Sequence, residues 1–202
     1  MRPFAFLPLA ILIPGFLSAQ TGCPANVKAI PLHKLNQHQM VVGVSINHSG
    51  PYDFLVDTGT QMTVVDLSLA ADLHLTTTGS ANVAGVSFQG PALFAQLDQL
   101  KVGDHSANNQ GVLVYNMKSL QGAGFALRGL LGEDFLSRYD VFIDKAHSVL
   151  CIDDTGAMLQ EMNGEHVLAA TAAETPSPQS HIVAAPIVVG DAVIPVMGRK
   201  FH

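Results

Sequence analysis

An apolar run, Phe54-Leu55-Val56, ends on Asp57-Thr58-Gly59-Thr60, and apolar sequence resumes at Met62, Val64 and Val65. Three apolar residues in succession predict a strand buried on both faces rather than one with a wet side. A carboxylate at the end of such a strand must find hydrogen-bond partners, because a buried charge without them is costly. Thr58 and Gly59 supply a hydroxyl and a freely placed backbone N–H beside it. The same tripeptide recurs at Asp154-Thr155-Gly156, behind Asp153 and the run Val149-Leu150-Cys151-Ile152. That context predicts a last strand reaching solvent and a surface turn, since Asp and Gly are ordinary turn formers.

Composition narrows the function classes. The net charge is −6 and there is no Lys/Arg run, which argues against a nucleic-acid surface. With no Trp and three Tyr, no stacking platform for bases is evident. At 48% hydrophobic residues, the chain has ample material for the core of one domain. Residues 1–20 read as a signal peptide: Arg2, then an apolar segment from Phe4 to Leu17 broken by Pro8 and Pro14, then Ser18-Ala19. The segment is short for a membrane span, so the expectation is export to the periplasm or the outside, with no integral span after cleavage near Gln20 or Thr21. In an oxidising compartment Cys23 and Cys151 can form a disulfide. The alternative is lipid attachment at Cys23, for which Gln20-Thr21-Gly22 is a poor match.

Along the chain, residues 21–39 form a polar lead-in and 40–152 a strand-rich domain. Met40 to Ile46 alternates, Asn47 to Pro51 is a turn cluster, and Asp66 can cap a short helix through Leu73. Asn82 to Gly90 suits a glycine-containing hairpin. Leu93 to Val102 and Gly111 to Tyr115 are strands, with Gly103-Asp104-His105 as a turn and Ser106 to Gln110 as a polar connection. Gly129-Leu130-Leu131-Gly132-Glu133-Asp134 reads as a short strand entering an acid-started helix, which favours the helix dipole. Val141 to Asp144 and Ser148 to Ile152 predict a hairpin around Lys145-Ala146-His147. No helix is long enough for a βαβ crossover, so the class is mostly β. Residues 153–180 are assigned to a linker, most clearly from Ala170 to Ser180. In 181–202, Ile182 to Pro195 echoes Val41 to Leu55, as the remnant of a second lobe or as a strand pairing with the main sheet.

Asp57-Thr58-Gly59, the glycine-containing hairpin, and Leu130-Leu131-Gly132 followed by a short helix together resemble the single-lobed, retropepsin-like aspartic proteases, from about Met40 to Ile152. The resemblance implies a single-lobed acid-protease β-barrel with one or two short helices. It implies Asp57 as the catalytic acid on a loop with Thr58, Gly59 and Thr60, where the family more often has Ala or Ser at the last position. The strand Leu130, Leu131, Gly132 would pass through that loop, and Val83, Ala84, Gly85, Val86, Ser87 and Phe88 would form a flap. Thr58 would bond to an opposing loop and Gly59 would donate its N–H to the carboxylate. Because one credible Asp is present, the resemblance implies a homodimer hydrolysing peptide or protein substrates without cofactor or metal. The competing reading is a catalytically silent domain that binds peptides or mediates association. Asp134 and Asp144 read as a helix-start acid and a hairpin acid rather than a second catalytic group. The spacing of His33 and His38 is no helical face and predicts no metal site.

Overall fold

Alternating and β-branched sequence from Met40 onward folds as a sheet that closes on itself through two of its inner strands. The computed structural model of the chain describes residues 22–35, 39–84, 89–120, 126–162, 171–172, 182–189 and 192–199. Its strands are β1 (Ile30–Lys34), β2 (Met40–Ile46), β3 (Ser49–Val56), β4 (Val64–Asp66), β5 (Thr77–Ala84), β6 (Gln89–Val102) and β7 (His105–Tyr115). Then follow β8 (Gly129–Leu131), β9 (Asp140–Asp144) and β10 (Val149–Asp153). The sheet order is β5-β6-β7-β4-β8-β3-β2-β1-β10-β9, and a further β2–β6 pairing closes β2, β3, β8, β4, β7 and β6 into a ring. The class is mostly β, as expected. The ring encloses the core. Val42, Val44 and Ile46 alternate inward from β2 and meet Leu97, Leu100, Leu131, Phe135 and Leu136, all fully buried. Each such side chain contributes roughly 1.5–3 kcal/mol on burial.

Helix α1 (Leu67–Asp72) starts on Asp66, whose Oδ2 accepts from the Ser68 N–H at 3.0 Å and from the Ser68 hydroxyl. Its Oδ1 accepts from Met117 N–H at 3.0 Å, so this buried acid also ties β4 to the chain after β7. Helix α2 (Glu133–Leu136) follows β8 with Gly132 at its N-cap. Strand β8 lies between β3 and β4, parallel to β3 (Leu55 beside Leu130, Val56 beside Leu131) and antiparallel to β4 (Val64 beside Leu130). No helix among the described residues is long and apolar enough to cross a membrane.

The structure departs from the sequence reading in several places. The polar lead-in contains β1, which joins β2 to β10 by pairing with both. β3 begins at Ser49, so the turn shrinks to Asn47 and His48. Ser106 to Gln110 continue β7 rather than linking two strands. β10 sits between β1 and β9, and Leu150, Cys151, Ile152 and Asp153 are buried, so the last strand of the domain is interior. The segment assigned to a linker from residue 153 opens instead with a turn and helix α3 (Ala157–Met162). Asp154 is exposed in that turn, as the surface-turn reading had it. At the C-terminal end, β11 (Thr171–Ala172), β12 (Ile182–Val189) and β13 (Ala192–Arg199) form their own three-stranded sheet and do not extend the main one. The signal-peptide residues 1–20 lie outside the described residues.

Cys23 and Cys151 are joined in a disulfide spanning 128 positions, which occupies the sulfur that lipid attachment would use. Around it, Met158 of α3 packs beside both cysteines, and Ala25 N–H donates to Glu161 Oε2 at 2.7 Å. Closing so long a loop restrains the unfolded chain. Losing such a bridge typically costs about 2–5 kcal/mol. Reduction, or the double change Cys23→Ala with Cys151→Ala, is expected to lower the urea midpoint accordingly.

Buried Asp153 starts the turn into α3. Its Oδ1 accepts from the Thr155 hydroxyl at 2.6 Å and the Thr155 N–H at 2.9 Å, and its Oδ2 from Met158 N–H at 2.8 Å. These donors, the Thr155 hydroxyl foremost and then the Met158 amide, hold its carboxyl below the ordinary carboxylate value. The unfolded carboxyl titrates near ~3.9, so the contribution is complete above roughly pH 5 and fades as the pH falls through the lower folded value. Asp153→Asn should therefore be less stable than the parent at neutral pH, with the gap in thermal midpoint closing toward pH 2.

Candidate active site

Asp57 is the first residue beyond β3, and its N–H donates to Leu131 O at 3.0 Å, so the end of β8 sets where the loop begins. The loop folds back on its own acid. Thr60 N–H donates to Asp57 O at 3.2 Å, Gly59 N–H to Asp57 Oδ1 at 2.9 Å, and the Thr60 hydroxyl to Asp57 Oδ2 at 2.7 Å. Each carboxylate oxygen thus has a donor from within the turn. Asp57 is half-buried, whereas Thr58 and Gly59 form an exposed tip. A Cβ on Gly59 would stand 3.2 Å from Asp57 Oδ1, crowding the carboxylate to which its amide donates. Thr60 is the position where the sequence departs from the family's more frequent Ala or Ser, and its hydroxyl is a direct partner of the acid.

The far side of the loop is bonded to the start of α2. Glu133 N–H donates to Thr60 O at 2.8 Å and Asp134 N–H to Gln61 O at 3.2 Å. Gly132 N–H donates to the Thr63 hydroxyl at 3.2 Å. The end of β8 and the start of α2 are thus hydrogen-bonded to both arms of the loop that carries Asp57. Glycine at 132 has a steric reason: an added Cβ would lie 2.7 Å from Met62 C and 2.8 Å from Thr63 N, both backbone atoms that cannot swing aside.

Asp134 points toward Thr63, not toward Asp57. Its Oδ1 accepts from the Thr63 N–H at 2.9 Å and hydroxyl at 2.7 Å. It is more than a helix-start acid, and neither Thr63 nor Gln110, whose amide donates to Asp134 Oδ2 at 2.7 Å, was singled out in the sequence. Thr63 stands just before β4 and Gln110 in the polar half of β7, so their burial shows only in the folded domain. Asp144 closes the β9–β10 hairpin, accepting from Ala146 N–H at 2.8 Å and His147 N–H at 3.0 Å and lying 2.6 Å from His147 Nδ1. The His147 ring bond foremost, and then its amide, hold that carboxyl below the ordinary value.

Of the expected flap, Val83 and Ala84 end β5 opposite Gly90 and Gln89, and Gly85, Val86, Ser87 and Phe88 lie outside the described residues. A second apolar cluster lies on the side of β8 away from the main core. Leu130, Val64 and Met117 are buried there beside half-buried Leu55, Met62 and Tyr115. Leu55 and Leu130 are side by side two residues before the Asp57 and Gly132 positions. Among the described residues no cluster of His, Cys, Asp or Glu could hold a metal ion; His33 is exposed on β1 and His38 lies outside them.

An Asp-Thr-Gly turn between two strands, threaded by a third that ends in glycine, is the architecture of an acid-protease lobe. Residues 42–135 match the family model described as aspartyl protease. Similar solved structures include a retropepsin-like aspartic protease from Rickettsia conorii, 22% identical, covering 62% of this chain and 90% of its own, with a TM-score of 0.44. The EIAV protease in complex with the inhibitor HBY-793 is 17% identical over 52% of this chain and 90% of its own, TM-score 0.40. The retroviral protease-like domain of Ddi1 from Leishmania major is 17% identical over 63% and 89%, TM-score 0.38. No curated protein matches the sequence.

Gly132→Ala tests the crossing directly. The added methyl meets two backbone segments at once, so a destabilisation of about 1–3 kcal/mol or more is expected, measured as a lowered thermal midpoint.

Proposed function

We propose that this protein is an exported aspartic endopeptidase whose dyad is completed by a second copy of the chain. The observation that carries this reading is the state of Asp57: a carboxylate bonded on both oxygens within its own turn, on a loop whose Thr58-Gly59 tip faces outward. Asp134, the acid at the start of α2, is committed to Thr63 and Gln110. Peptide hydrolysis by this chemistry needs two carboxylates around one water. At such a distance both cannot ionise, so the pair holds a single proton. The ionised member takes a proton from the attacking water, and the other donates to the developing oxyanion and later to the amine.

A two-fold axis beside the loop brings two Asp57 side chains together through an isologous contact. The exposed Thr58 hydroxyls would then meet the opposing loops. The extended substrate would lie under residues 83–88, bound by strand-like hydrogen bonds. The Cys23–Cys151 bridge and the apolar opening segment support an oxidising, exported setting. A silent peptide-binding domain is the second reading, favoured by the same fact that one copy holds half a dyad.

Asp57→Asn should abolish cleavage at acidic pH while leaving the thermal midpoint nearly unchanged. Parent activity inhibited by pepstatin, together with a dimer on sedimentation, supports the peptidase. A monomer inert at every pH supports the binding module. Removing the Thr60 hydroxyl (Thr60→Ala) takes away one charge-assisted bond to Asp57 and should lower kcat on the order of tenfold, with Thr60→Ser close to the parent. An unchanged kcat in the alanine variant would mean that the hydroxyl contributes nothing to the chemistry.

A further inference from the structure

Behind the loop runs a chain of polar side chains that the proposed chemistry does not use. Gln110 of β7 and Thr63 are buried inside the domain. Asp134 accepts from Gln110 Nε2 at 2.7 Å on Oδ2, and from the Thr63 N–H, the Thr63 hydroxyl and the Phe135 N–H on Oδ1. Arg138 Nη2 donates to Gln110 Oε1 at 2.7 Å, and Arg138 Nε donates to Asp134 O at 2.8 Å. A guanidinium only donates, so its bond fixes which end of the Gln110 amide is the carbonyl and turns the NH2 toward Asp134. Every neighbour of the Asp134 carboxylate is then a donor, and only an acceptor-only group satisfies them all. Thr63 in turn accepts from Gly132 N–H, and its own carbonyl accepts from Leu113 N–H at 3.0 Å. Three residues earlier in the same strip stands Thr60, which touches Asp57.

We infer that Asp134 is a positioning residue: through Thr63 it clasps the Thr60–Thr63 strip to α2 and so fixes the hydroxyl and amides that hold the Asp57 carboxylate. The inference rests on the peptidase reading for its effect on rate, and on geometry alone for its effect on the loop. A helix-start acid would need only the amides of its own turn. This one reaches across to a residue 71 positions away and is itself oriented from β7 and Arg138.

The test exploits direction. Asp134→Asn keeps an oxygen for Thr63 but turns an NH2 toward the NH2 that Arg138 holds in place. Adding Gln110→Glu gives Arg138 and the new amide a carboxylate to donate to, with net charge unchanged, and gives up only the Gln110 Nε2 donation to Gly111 O at 3.1 Å. In the full-length, disulfide-bonded protein, Asp134→Asn should lower kcat about tenfold with KM changed less than about twofold, and the double variant should recover to within about threefold. Amide exchange gives a readout independent of turnover. Asp57 N–H and Glu133 N–H should exchange roughly tenfold faster in the single variant and regain protection in the double, while the β9–β10 hairpin is unaffected.

Parent-like kcat and exchange in Asp134→Asn overturn the inference. So does a uniform loss of protection, or a double variant no better than the single. Should the parent cleave nothing at any pH, the peptidase reading fails, and the exchange pattern alone decides for or against the clasp. Should Asp134→Asn fail to fold, Thr63→Val and Thr63→Ser carry the same comparison, the first losing the hydroxyl and the second keeping it. Parent-like exchange or a uniform loss in the valine variant, or no protection regained with serine, then overturns the inference.

Discussion

Where β8 passes between β3 and β4, three backbones lie closer together than side chains allow. The added Cβ positions state the constraint in ångströms. At Gly129 it would fall 2.1 Å from Phe54 Cε1 and 2.5 Å from Val64 O, and at Gly132 2.7 Å from Met62 C. Two glycines bracket two leucines for this reason: the ends of the strand touch backbone or a fixed ring, and the middle is free to fill core on either face. Leu131 serves the main core while Leu130 serves the second cluster. The loop at Asp57 inherits its position from this crossing, because its first amide bonds to Leu131 O and its fourth carbonyl to Glu133 N–H.

The carboxylates of the domain fall into two kinds when their donors are traced. Asp66, Asp134 and Asp153 each accept from residues on more than one turn or element, and each ties those parts together. Such acids are consumed by structure: every donor that stabilises the ionised form also makes the oxygen less available to a substrate. Asp57 differs. Gly59 and Thr60 of its own turn donate to it, so the carboxylate is oriented without being enclosed, and the exposed tip leaves an approach open. That contrast, rather than the tripeptide, separates this Asp-Thr-Gly from the copy at Asp154, where Asp153 takes the hydroxyl and amide of Thr155 and Asp154 is left in solvent.

How much of this was legible before folding depends on the range of the interaction. The alternation of Met40 to Ile46, the apolar approach to Asp57, the Asp66 cap and the Leu-Leu-Gly strand are local or nearly so, and each appears where expected. β1 was not, because Ile30 to Lys34 pairs only by virtue of two neighbours, brought in from positions 149–150 beside Ile30 and Pro31 and from 40–42 beside Leu32 to Lys34. The start of α3 was lost to composition: residues 153–162 carry no strong periodicity, and the helix forms because Asp153 satisfies its first amides and Met158 finds the cysteines. Gln110 and Thr63 were invisible for a related reason. A buried polar residue in a strand looks like an exposed one until the partner, 24 or 71 positions away, is known.

The corner where the chain ends are stitched to the domain bears on how a carboxylate chemistry could work in acid. Asp153 and Asp144, both held below the ordinary carboxylate value, secure α3 and the β9–β10 turn. Both contributions are present above the unfolded carboxylate range and fade only as the pH drops beneath it. A pair of aspartates sharing one proton needs surroundings acid enough to keep that proton, the direction in which these two anchors weaken. The disulfide lies between them in the same corner. Cys151 is two residues from Asp153, and Gly22, next to Cys23, packs against Asp144 Oδ2 and His147 Nδ1. A covalent bridge does not titrate, so it holds the lead-in to β10 as the hydrogen-bonded anchors lose their charge.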